Sequence, residues 1–409
     1  MNITPVKEVK VGLDFGEREI PLGRLASRDL TIFFQYDPEF LKRGLNVSPL
    51  RLPLQQGVES FDAGLFDGLP GLFNDSLPDG WGRLLFDRSV RAQGYLPEEL
   101  SPLDRLVHVG GAGMGALTYA PDYSEEKQQS DLDLDWLANQ ANEVLEGEAD
   151  EVLEELLALN GSSAGARPKA QIGFDPKSGR IVHGTQTMEG GFEPWLVKFA
   201  NTQDGIDAGA IEHVYAEMAK LAGLEMMETH LFSAKTGPGY FATRRFDRLG
   251  SKRLHMHTVS GLLHQNFRIP SLDYQDLLKL TGHLTRDVRE IEKMYRIAVF
   301  NVLSHNRDDH SKNFTFLMDK SGEWKVSPAY DLTFSSGPGG QQSMLVMGVG
   351  KAPQHSHLNE LGKAFDIKQQ TINAIIDKTR EALTVWKELA QDYGVSTSNQ
   401  RLINSRINP

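Results

Sequence analysis

The feature that most constrains this chain is a polar run, HNRDDHSKN at 305–313, enclosed between two hydrophobic segments. Before it, apolar residues recur at helical spacing from Val288 to Val302, which predicts a long buried helix. After it, NFTFLMD, KSG and EWKVSP predict a strand, a turn and a second strand. A polar loop positioned by two buried elements is typical of a functional site, although a merely solvated loop is also conceivable.

The spacing of oxygen-bearing side chains in this region points to phosphoryl transfer. Asp308 and Asn313 are five residues apart, and Asp331 follows the second predicted strand. Antiparallel pairing would bring the Asn313 and Asp331 side chains to the same end of the hairpin. Phosphoryl transfer requires a carboxylate for the attacking hydroxyl and oxygen ligands for Mg²⁺, and protein kinases use this Asp, Asn and Asp order. We therefore predict Asp308 as the catalytic carboxylate and Asn313 and Asp331 as metal ligands.

A metal-dependent hydrolase is the sharpest alternative interpretation of the same loop. Imidazole and carboxylate groups there could bind zinc or manganese; the candidate ligands are His305, Asp308, Asp309 and His310. This interpretation leaves Asn313 and Asp331 without a role.

Two further parts of a phosphoryl-transfer site lie upstream. Lys198 stands inside PWLVKFA, which predicts a strand, and an unpaired ammonium group there would be costly. The segment 208–224 predicts an amphipathic helix that carries Glu212. We expect Glu212 to pair with Lys198, with Glu217 on the same helix as the second candidate.

Two glycine-rich segments have different interpretations. In GSSAGARPK at 161–169, glycines allow backbone N–H groups to approach phosphates, and Arg167 and Lys169 supply positive charge. The segment lacks the Gly-Lys-Ser/Thr end of a P-loop. In GGAGMG at 110–115, LTYAP follows where a dinucleotide fold would begin a helix, so we predict a tight turn.

Composition excludes several classes of site. The chain has no cysteine, which excludes disulfides, zinc–thiolate sites and thiol nucleophiles. Its formal net charge is −12, which disfavours direct binding to nucleic acid. Apolar runs such as IAVFNVL are far shorter than the ~20 residues that span a bilayer, and the N-terminus lacks a signal-peptide pattern. We expect a cytoplasmic protein that binds no membrane.

Taken together, several segments resemble the HipA family of bacterial toxin kinases: FNDSLPDGWGRLL, LDRLVHVGGAGMGAL, SSAGARPK, PWLVKF, RRFDR, HNRDDHSKNF and PAYDL. Strands that precede helices already predict an α+β protein. The resemblance implies a two-lobed, divergent protein-kinase-like fold with an extra N-terminal β-rich subdomain and an all-helical C-terminal lobe. We expect the β-rich subdomain at 1–122, the kinase N-lobe core at 123–247 and the helical C-lobe at 248–409.

The resemblance also implies an activity and partners. Family members are ATP- and Mg²⁺-dependent serine/threonine kinases that act as toxins on a protein, here one of the translation machinery such as an aminoacyl-tRNA synthetase. A small HipB-like helix-turn-helix antitoxin usually accompanies them, and DNA would be contacted only through this antitoxin. The alternative is a catalytically quiet binding or regulatory protein, which the intact Lys198, Asp308, Asn313 and Asp331 disfavour.

Carried onto this sequence, the resemblance implies that Lys198 is the ATP lysine and that Arg244, Arg245 and Phe246 form the hinge that faces adenine. The other residues expected at the nucleotide are Ala164, Gly165, Ala166, Arg167, Lys169, His310, Lys312 and Tyr330. In this family a serine of the glycine-rich loop is autophosphorylated, which ejects the loop and inactivates the enzyme. Alignment on Gly165 indicates Ser162, and the adjacent Ser163 stays open. A phosphate would bring about two negative charges into a site for ATP phosphates.

Overall fold

A computed structural model describes residues 4–124, 129–147, 153–160, 165–184, 188, 190–201 and 204–408. The chain divides into two compact units. Unit 1 comprises 1–203, 242–265 and 317–323, and unit 2 comprises 204–241, 266–316 and 324–409. The predicted three-part division at 122 and 247 follows different bounds and stays a prediction.

Strands and helices occur in groups along the described residues. The strands are β1 (Glu8–Leu13), β2 (Ile20–Arg28), β3 (Thr31–Tyr36), β4 (Glu59–Ser60), β5 (Leu117–Ala120), β6 (Lys169–Phe174), β7 (Ile181–His183), β8 (Glu193–Lys198), β9 (Thr229–Phe232), β10 (Tyr240–Arg244), β11 (Arg248–Leu249), β12 (Lys252–Arg253), β13 (His255–Thr258), β14 (Thr315–Met318) and β15 (Trp324–Val326). The helices are α1 (Pro38–Arg43), α2 (Gly71–Asn74), α3 (Gly80–Ala92), α4 (Pro102–Val109), α5 (Leu134–Glu146), α6 (Leu153–Asn160), α7 (Ala208–Leu221), α8 (Val259–Leu263), α9 (Tyr274–Thr285), α10 (Val288–Leu303), α11 (His355–Ala364), α12 (Gln369–Thr384), α13 (Trp386–Asp392) and α14 (Thr397–Ile407).

Unit 1 begins with a sheet in the order β4-β3-β2-β1-β5, whose neighbouring strands are antiparallel. Alternating burial in β3 places Ile32, Phe34 and Tyr36 on the core face. Helix α4 packs on β1, β2 and β5. The sequence after α4 turns through Gly110 at φ +51° directly into β5, which confirms that GGAGMG is a turn and not a dinucleotide loop.

The rest of unit 1 carries the glycine-rich loop and the lysine strand. Strand β6 lies between β7 and β8, and both pairings are antiparallel. Every residue of β6 is buried, including the polar Lys169 and Gln171. The ladder of β6 and β8 pairs Lys169 with Lys198 and Ala170 with Val197.

A buried charge cluster joins distant segments of unit 1. The Asp247 carboxylate accepts hydrogen bonds from Arg245 Nη2 (2.7 Å), Arg248 Nη1 (2.5 Å) and the Gly115 amide (2.8 Å). Burial by itself would raise the pKa of Asp247, but the two guanidinium groups outweigh it and hold that pKa well below its usual range. The cluster therefore fixes the GGAGMG turn against the segment after β10.

Unit 2 is mainly helical. Helix α10 packs against α9 and α12, and α7 packs against α12 and α13. The core stripe of α10 is confirmed at Tyr295, Ala298 and Val299, whereas Val288 is 78% exposed because it is the first residue of the helix. The predicted helix at 208–224 is confirmed as α7. None of the helices in the described part of the chain has the length and apolarity that crossing a membrane requires.

The predicted hairpin is also confirmed. Strand β14 is followed by β15, and the intervening turn is closed by hydrogen bonds between Asp319, Gly322 and Glu323. The α+β fold expected from the sequence is confirmed. The expectation of an all-helical C-terminal lobe at 248–409 is corrected, because strands β11 to β15 lie within that range.

Candidate active site

The polar loop at 305–313 begins where α10 ends. The Tyr215 hydroxyl on α7 donates to the Ser304 carbonyl at 2.6 Å, which fixes the last turn of α10. His305 then takes a left-handed conformation, φ +60°, and reverses the chain. The Asn306 amide donates back to the Asn301 carbonyl at 2.9 Å. The chain therefore turns sharply at the end of α10, and the polar loop lies at one end of the helix bundle.

Asp308 is the accessible carboxylate of this loop. Its side chain is 54% exposed, and the nearest ring nitrogen of His310 lies 3.8 Å from Oδ1. The Asn313 amide nitrogen donates to the Asp308 backbone carbonyl at 2.7 Å, so the two predicted site residues are in direct contact. A carboxylate that is exposed to this extent can be approached by a substrate hydroxyl.

Asn313 and Asp331 lie on one pocket, as the hairpin geometry predicts. Both residues belong to the lining of this pocket. The Tyr330 hydroxyl donates to the Lys312 carbonyl at 2.7 Å and lies 2.7 Å from the Thr315 hydroxyl. Tyr330 therefore fixes the segment that carries Asp331 beside the start of β14. The predicted nucleotide role of Tyr330 stays a prediction.

His310 and Lys312 share an aromatic partner that the sequence did not indicate. The Phe267 ring lies 5.0 Å from the His310 ring and 4.9 Å from Lys312 Nζ. A cation over an aromatic face is stabilised by the ring quadrupole. Phe267 lies 38 positions before the start of this loop, so no local pattern could identify it.

The four candidate ligands of the hydrolase interpretation do not form a metal centre. His305 stacks on Phe334 and its Nδ1 lies 3.3 Å from the Ser335 carbonyl. Asp309 is buried, and backbone and side-chain donors surround its carboxylate. Within the described residues, no group of three or more His, Cys, Asp or Glu side chains could hold a metal ion.

In unit 1 the two candidate phosphate-binding lysines are direct cross-strand partners. Lys169 is buried and Lys198 is half-buried. The register therefore places two positively charged residues directly opposite each other on neighbouring strands. Gly165 lies against the Lys169 ammonium, since a Cβ at Gly165 would collide with Nζ. Arg167 lies between Gly165 and Lys169 in the sequence, and it is half-buried.

Gly165, at the described end of the glycine-rich loop, is bound to the start of α3. The Gly165 amide donates to Asp79 Oδ1 at 2.5 Å, and the Trp81 amide donates to the Gly165 carbonyl at 3.1 Å. Ala166 is exposed. Ser162, Ser163 and Ala164 lie outside the described residues, so their predicted roles stay predictions.

The predicted hinge residues differ in what their side chains contact. Arg244 is half-buried with Nη1 3.5 Å from Glu193 Oε1, and Phe246 is half-buried. The Arg245 side chain is buried and bonds to Asp247 and Gln171. The Arg245 guanidinium is part of the buried charge cluster, and the role of Arg244, Arg245 and Phe246 as a hinge that faces adenine stays a prediction.

Glu212, the predicted partner of Lys198, lies in unit 2. Glu212 is buried on α7 in unit 2. The second candidate, Glu217, accepts a hydrogen bond from Lys220 at 2.8 Å. The pairing of Lys198 with Glu212 stays a prediction.

A Ser–His–Asp chain of hydrogen bonds also occurs in unit 1. Ser48 Oγ lies 3.0 Å from His257 Nε2, and His257 Nδ1 lies 2.6 Å from Asp75 Oδ2. This order is that of a hydrolase triad. However, Ser48 is 1% exposed and His257 is fully buried, so a substrate could not reach the hydroxyl. The chain is a structural contact, which the Thr258 hydroxyl completes by donating to Asp75.

Comparisons with known proteins agree with this architecture. A family model described as the HipA N-terminal domain matches residues 17–120, and one described as the HipA-like C-terminal domain matches residues 161–386. The putative kinase Y4mE of Sinorhizobium fredii is 24% identical over 394 residues, which are 86% of this chain and 86% of that protein.

A solved structure shows the same fold. It is that of HipA from Shewanella oneidensis MR-1, in complex with HipB and operator DNA. The two chains superpose with a TM-score of 0.68 at 15% identity, over 98% of this chain and 95% of that one. Because the C-terminal family model alone covers more than half of the sequence, and the fold agrees with it, this chain belongs to the HipA family.

Proposed function

We propose that this protein is an ATP- and Mg²⁺-dependent serine/threonine protein kinase that acts as the toxin of a toxin–antitoxin pair. The observation that carries the proposal is the arrangement in unit 2. The Asp308 carboxylate is accessible, the Asp308 backbone carbonyl accepts a hydrogen bond from the Asn313 side chain, and Asn313 shares a pocket with Asp331. The name of the relative Y4mE, a putative kinase, supports the same class of reaction.

The residues present fit both ATP and Mg²⁺. The pocket offers an amide and a carboxylate, which are oxygen donors of the kind Mg²⁺ prefers together with phosphates and water. The buried Asn306 Oδ1 on the same pocket has no hydrogen-bond partner among the described residues, so it can accept one from bound water. In unit 1 the opposed Lys169 and Lys198 fit the charge of nucleotide phosphates.

Each of these residues would have a defined task in the reaction. Asp308 would orient the substrate hydroxyl and accept its proton. Asn313 and Asp331 would hold Mg²⁺, which supplies charge neutralisation between the phosphates when bound. Lys169 and Lys198 would hold the phosphate oxygens of ATP.

Regulation and partners form the finer part of the proposal. We expect autophosphorylation at Ser162 or Ser163 to inactivate the enzyme, since a phosphate there would compete with the phosphates of ATP. The HipA relative of known structure is bound to HipB and operator DNA. A HipB-like antitoxin is therefore the expected partner, and with a net charge of −12 this chain would leave the DNA contacts to it. A protein of the translation machinery is the expected target.

Incubation of the purified protein with ATP and Mg²⁺, followed by phosphopeptide mapping, tests the proposal. Wild-type protein is expected to carry phosphate in the glycine-rich loop. Asp308→Asn should reduce transfer by about 10²–10⁴-fold, because the variant cannot accept the proton. Absence of phosphate in the wild type, together with no ATP-dependent change in melting temperature, would refute kinase activity and favour a binding or regulatory role.

A further inference from the structure

Asp309, the residue after the accessible Asp308, is almost completely enclosed. It is 1% exposed, and donors surround its carboxylate on both sides. Oδ2 accepts from the Tyr274 hydroxyl at 2.8 Å and from Gln342 Nε2 at 3.1 Å. Oδ1 accepts from the backbone amides of Ser343 at 2.8 Å and Met344 at 3.3 Å. An ionised carboxylate only accepts hydrogen bonds, whereas a protonated carboxyl group also carries a donor, so four surrounding donors favour the charged form.

The contacts of Asp309 continue into a buried polar network that reaches α10. The Tyr274 hydroxyl accepts a hydrogen bond from Asn301 Nδ2, and Asn301 Oδ1 accepts one from Asn306 Nδ2, each at 3.0 Å. Gln342 Nε2 also donates to the Asn306 carbonyl at 3.3 Å. The network therefore connects the end of α10, the loop and the segment that begins at Gln342.

The peptide bond between Asp308 and Asp309 is held from both sides. On one side the Asp309 carboxylate is fixed by its four donors. On the other side the Asp308 carbonyl accepts the hydrogen bond from Asn313 Nδ2. Because that nitrogen is committed to the carbonyl, the amide oxygen of Asn313 is the atom left to coordinate a cation in the pocket shared with Asp331.

We propose that Asp309 is a positioning residue, which fixes the Asp308 carboxylate and the Asn313 amide through the shared peptide bond. The inference rests on the proposed function, since it concerns the residues to which that function assigns the proton and the cation. Asp309 itself would contact neither the nucleotide nor the substrate. A buried polar residue whose hydrogen bonds are all satisfied within a network favours one loop conformation. It adds little to the free energy of unfolding compared with an apolar residue.

Burying this carboxylate has a free-energy cost, which is expressed as a raised pKa. Burial raises the pKa of Asp309 to about 6, and the donors from Tyr274, Met344 and Ser343 oppose that rise. An apolar residue would fill the same space without this cost. The carboxylate is therefore explained by the hydrogen bonds that it accepts.

Two variants and a matched control test the proposal. Asp309→Asn keeps the volume of the side chain. In either orientation of the amide, however, its NH₂ group would face hydrogen-bond donors, because both oxygens of Asp309 accept from donors. Tyr274→Phe removes only one donor to the carboxylate. Tyr295→Phe is the control, because Tyr295 is also fully buried and its hydroxyl donates to the Leu358 carbonyl at 3.0 Å, away from the loop.

In kinase assays kcat is expected to fall about 10²-fold in Asp309→Asn, which is the effect of a misplacement of about 1 Å in a catalytic group. In Tyr274→Phe the fall should be smaller, about threefold to tenfold. The KM for ATP should change by less than about threefold, since the phosphate-binding lysines are untouched. The Mg²⁺ concentration for half-maximal rate should rise, because Asn313 is displaced. Tyr295→Phe should match the wild type in all three quantities.

An equal kcat and Mg²⁺ dependence in wild type and Asp309→Asn, with only the melting temperature lowered, would overturn the positioning role. If Asp309→Asn does not fold, wild-type behaviour of Tyr274→Phe would overturn it instead. The Mn²⁺ affinity of wild type and Asp309→Asn can also be compared without turnover. It is measured by electron paramagnetic resonance during a Mn²⁺ titration in the presence of a non-hydrolysable ATP analogue. A wild type that transfers no phosphate refutes the proposed function alone, whereas unchanged Mn²⁺ affinity in Asp309→Asn refutes the positioning role.

Discussion

Gly80, at the first position of α3, leaves the space in which the glycine-rich loop lies. Its φ is +45°, and a Cβ there would lie 2.5 Å from the Gly165 carbonyl oxygen and 2.8 Å from Ala166 Cα. Both atoms belong to backbone, which cannot turn aside as a flexible side chain can. We therefore predict that Gly80→Ala pushes the described end of the loop away from Asp79 and Trp81, with loss of the two hydrogen bonds that bind Gly165.

The free-energy cost of Gly80→Ala has two separable contributions. An alanine in the left-handed region costs about 1–2 kcal/mol. Loss of two hydrogen bonds adds about 0.5–1.5 kcal/mol each. Gly94 provides the matched control, because its φ is +82° and a Cβ there would have no atom within 4 Å. Gly94→Ala should show the first contribution alone, so the two variants should differ by about 1–3 kcal/mol.

Hydrogen exchange at residue resolution measures this difference directly. The Trp81 amide donates to Gly165, so its exchange reports the contact between α3 and the loop. A difference of 1.4 kcal/mol is about a tenfold change in an equilibrium constant, so Trp81 should exchange about tenfold faster in Gly80→Ala than in Gly94→Ala. If the loop holds ATP phosphates, only Gly80→Ala should also weaken ATP binding. Equal exchange of Trp81 in the two variants would refute the steric argument.

Three further predictions concern buried ionisable groups. Asp247→Asn should lower the free energy of unfolding by about 3–5 kcal/mol, measured in urea, because Arg245 and Arg248 lose a buried counter-charge; a loss below about 1 kcal/mol would contradict this. The raised pKa of Asp309 means that the folded state binds its proton more tightly, so stability should fall as the pH rises from about 4 to 6, by about 3 kcal/mol in total, and Asp309→Asn should remove this slope. Kinase activity should rise over the upper part of the same range as Asp309 ionises. Asp75→Asn should lower the melting temperature, since one oxygen of Asp75 accepts from the Thr258 amide and also contacts His257; an unchanged value would exclude a structural role.

The parts of the fold and site that the sequence predicted depend on local patterns. The helix before the polar loop, the hairpin after it and the turn between α4 and β5 each follow from periodicity or turn chemistry within a few residues. The common pocket of Asn313 and Asp331 follows in turn from the hairpin, because paired strands fix which residues lie at the same end. These predictions required no knowledge of how distant segments pack.

The remaining features depend on interactions between residues far apart in the chain. Asp308 and Asp309 are identical in type and adjacent, and the sequence alone could not indicate which of them is enclosed. The answer depends on Tyr274, 35 positions away, and on Gln342, 33 positions away. The site of Arg245 is another example, since its burial depends on Gln171, 74 positions earlier.

The division between the two adjacent aspartates also limits which chemistry the loop can support. Asp308 is 54% exposed, whereas both oxygens of Asp309 already accept hydrogen bonds that a bound metal ion would displace. Such a change would release Gln342, Ser343 and Tyr274 as unsatisfied buried donors, each at a cost of about 1–3 kcal/mol. A metal centre that recruits both aspartates is therefore disfavoured by the scaffold itself. The same scaffold favours a mechanism in which one aspartate reacts and its neighbour holds it in place.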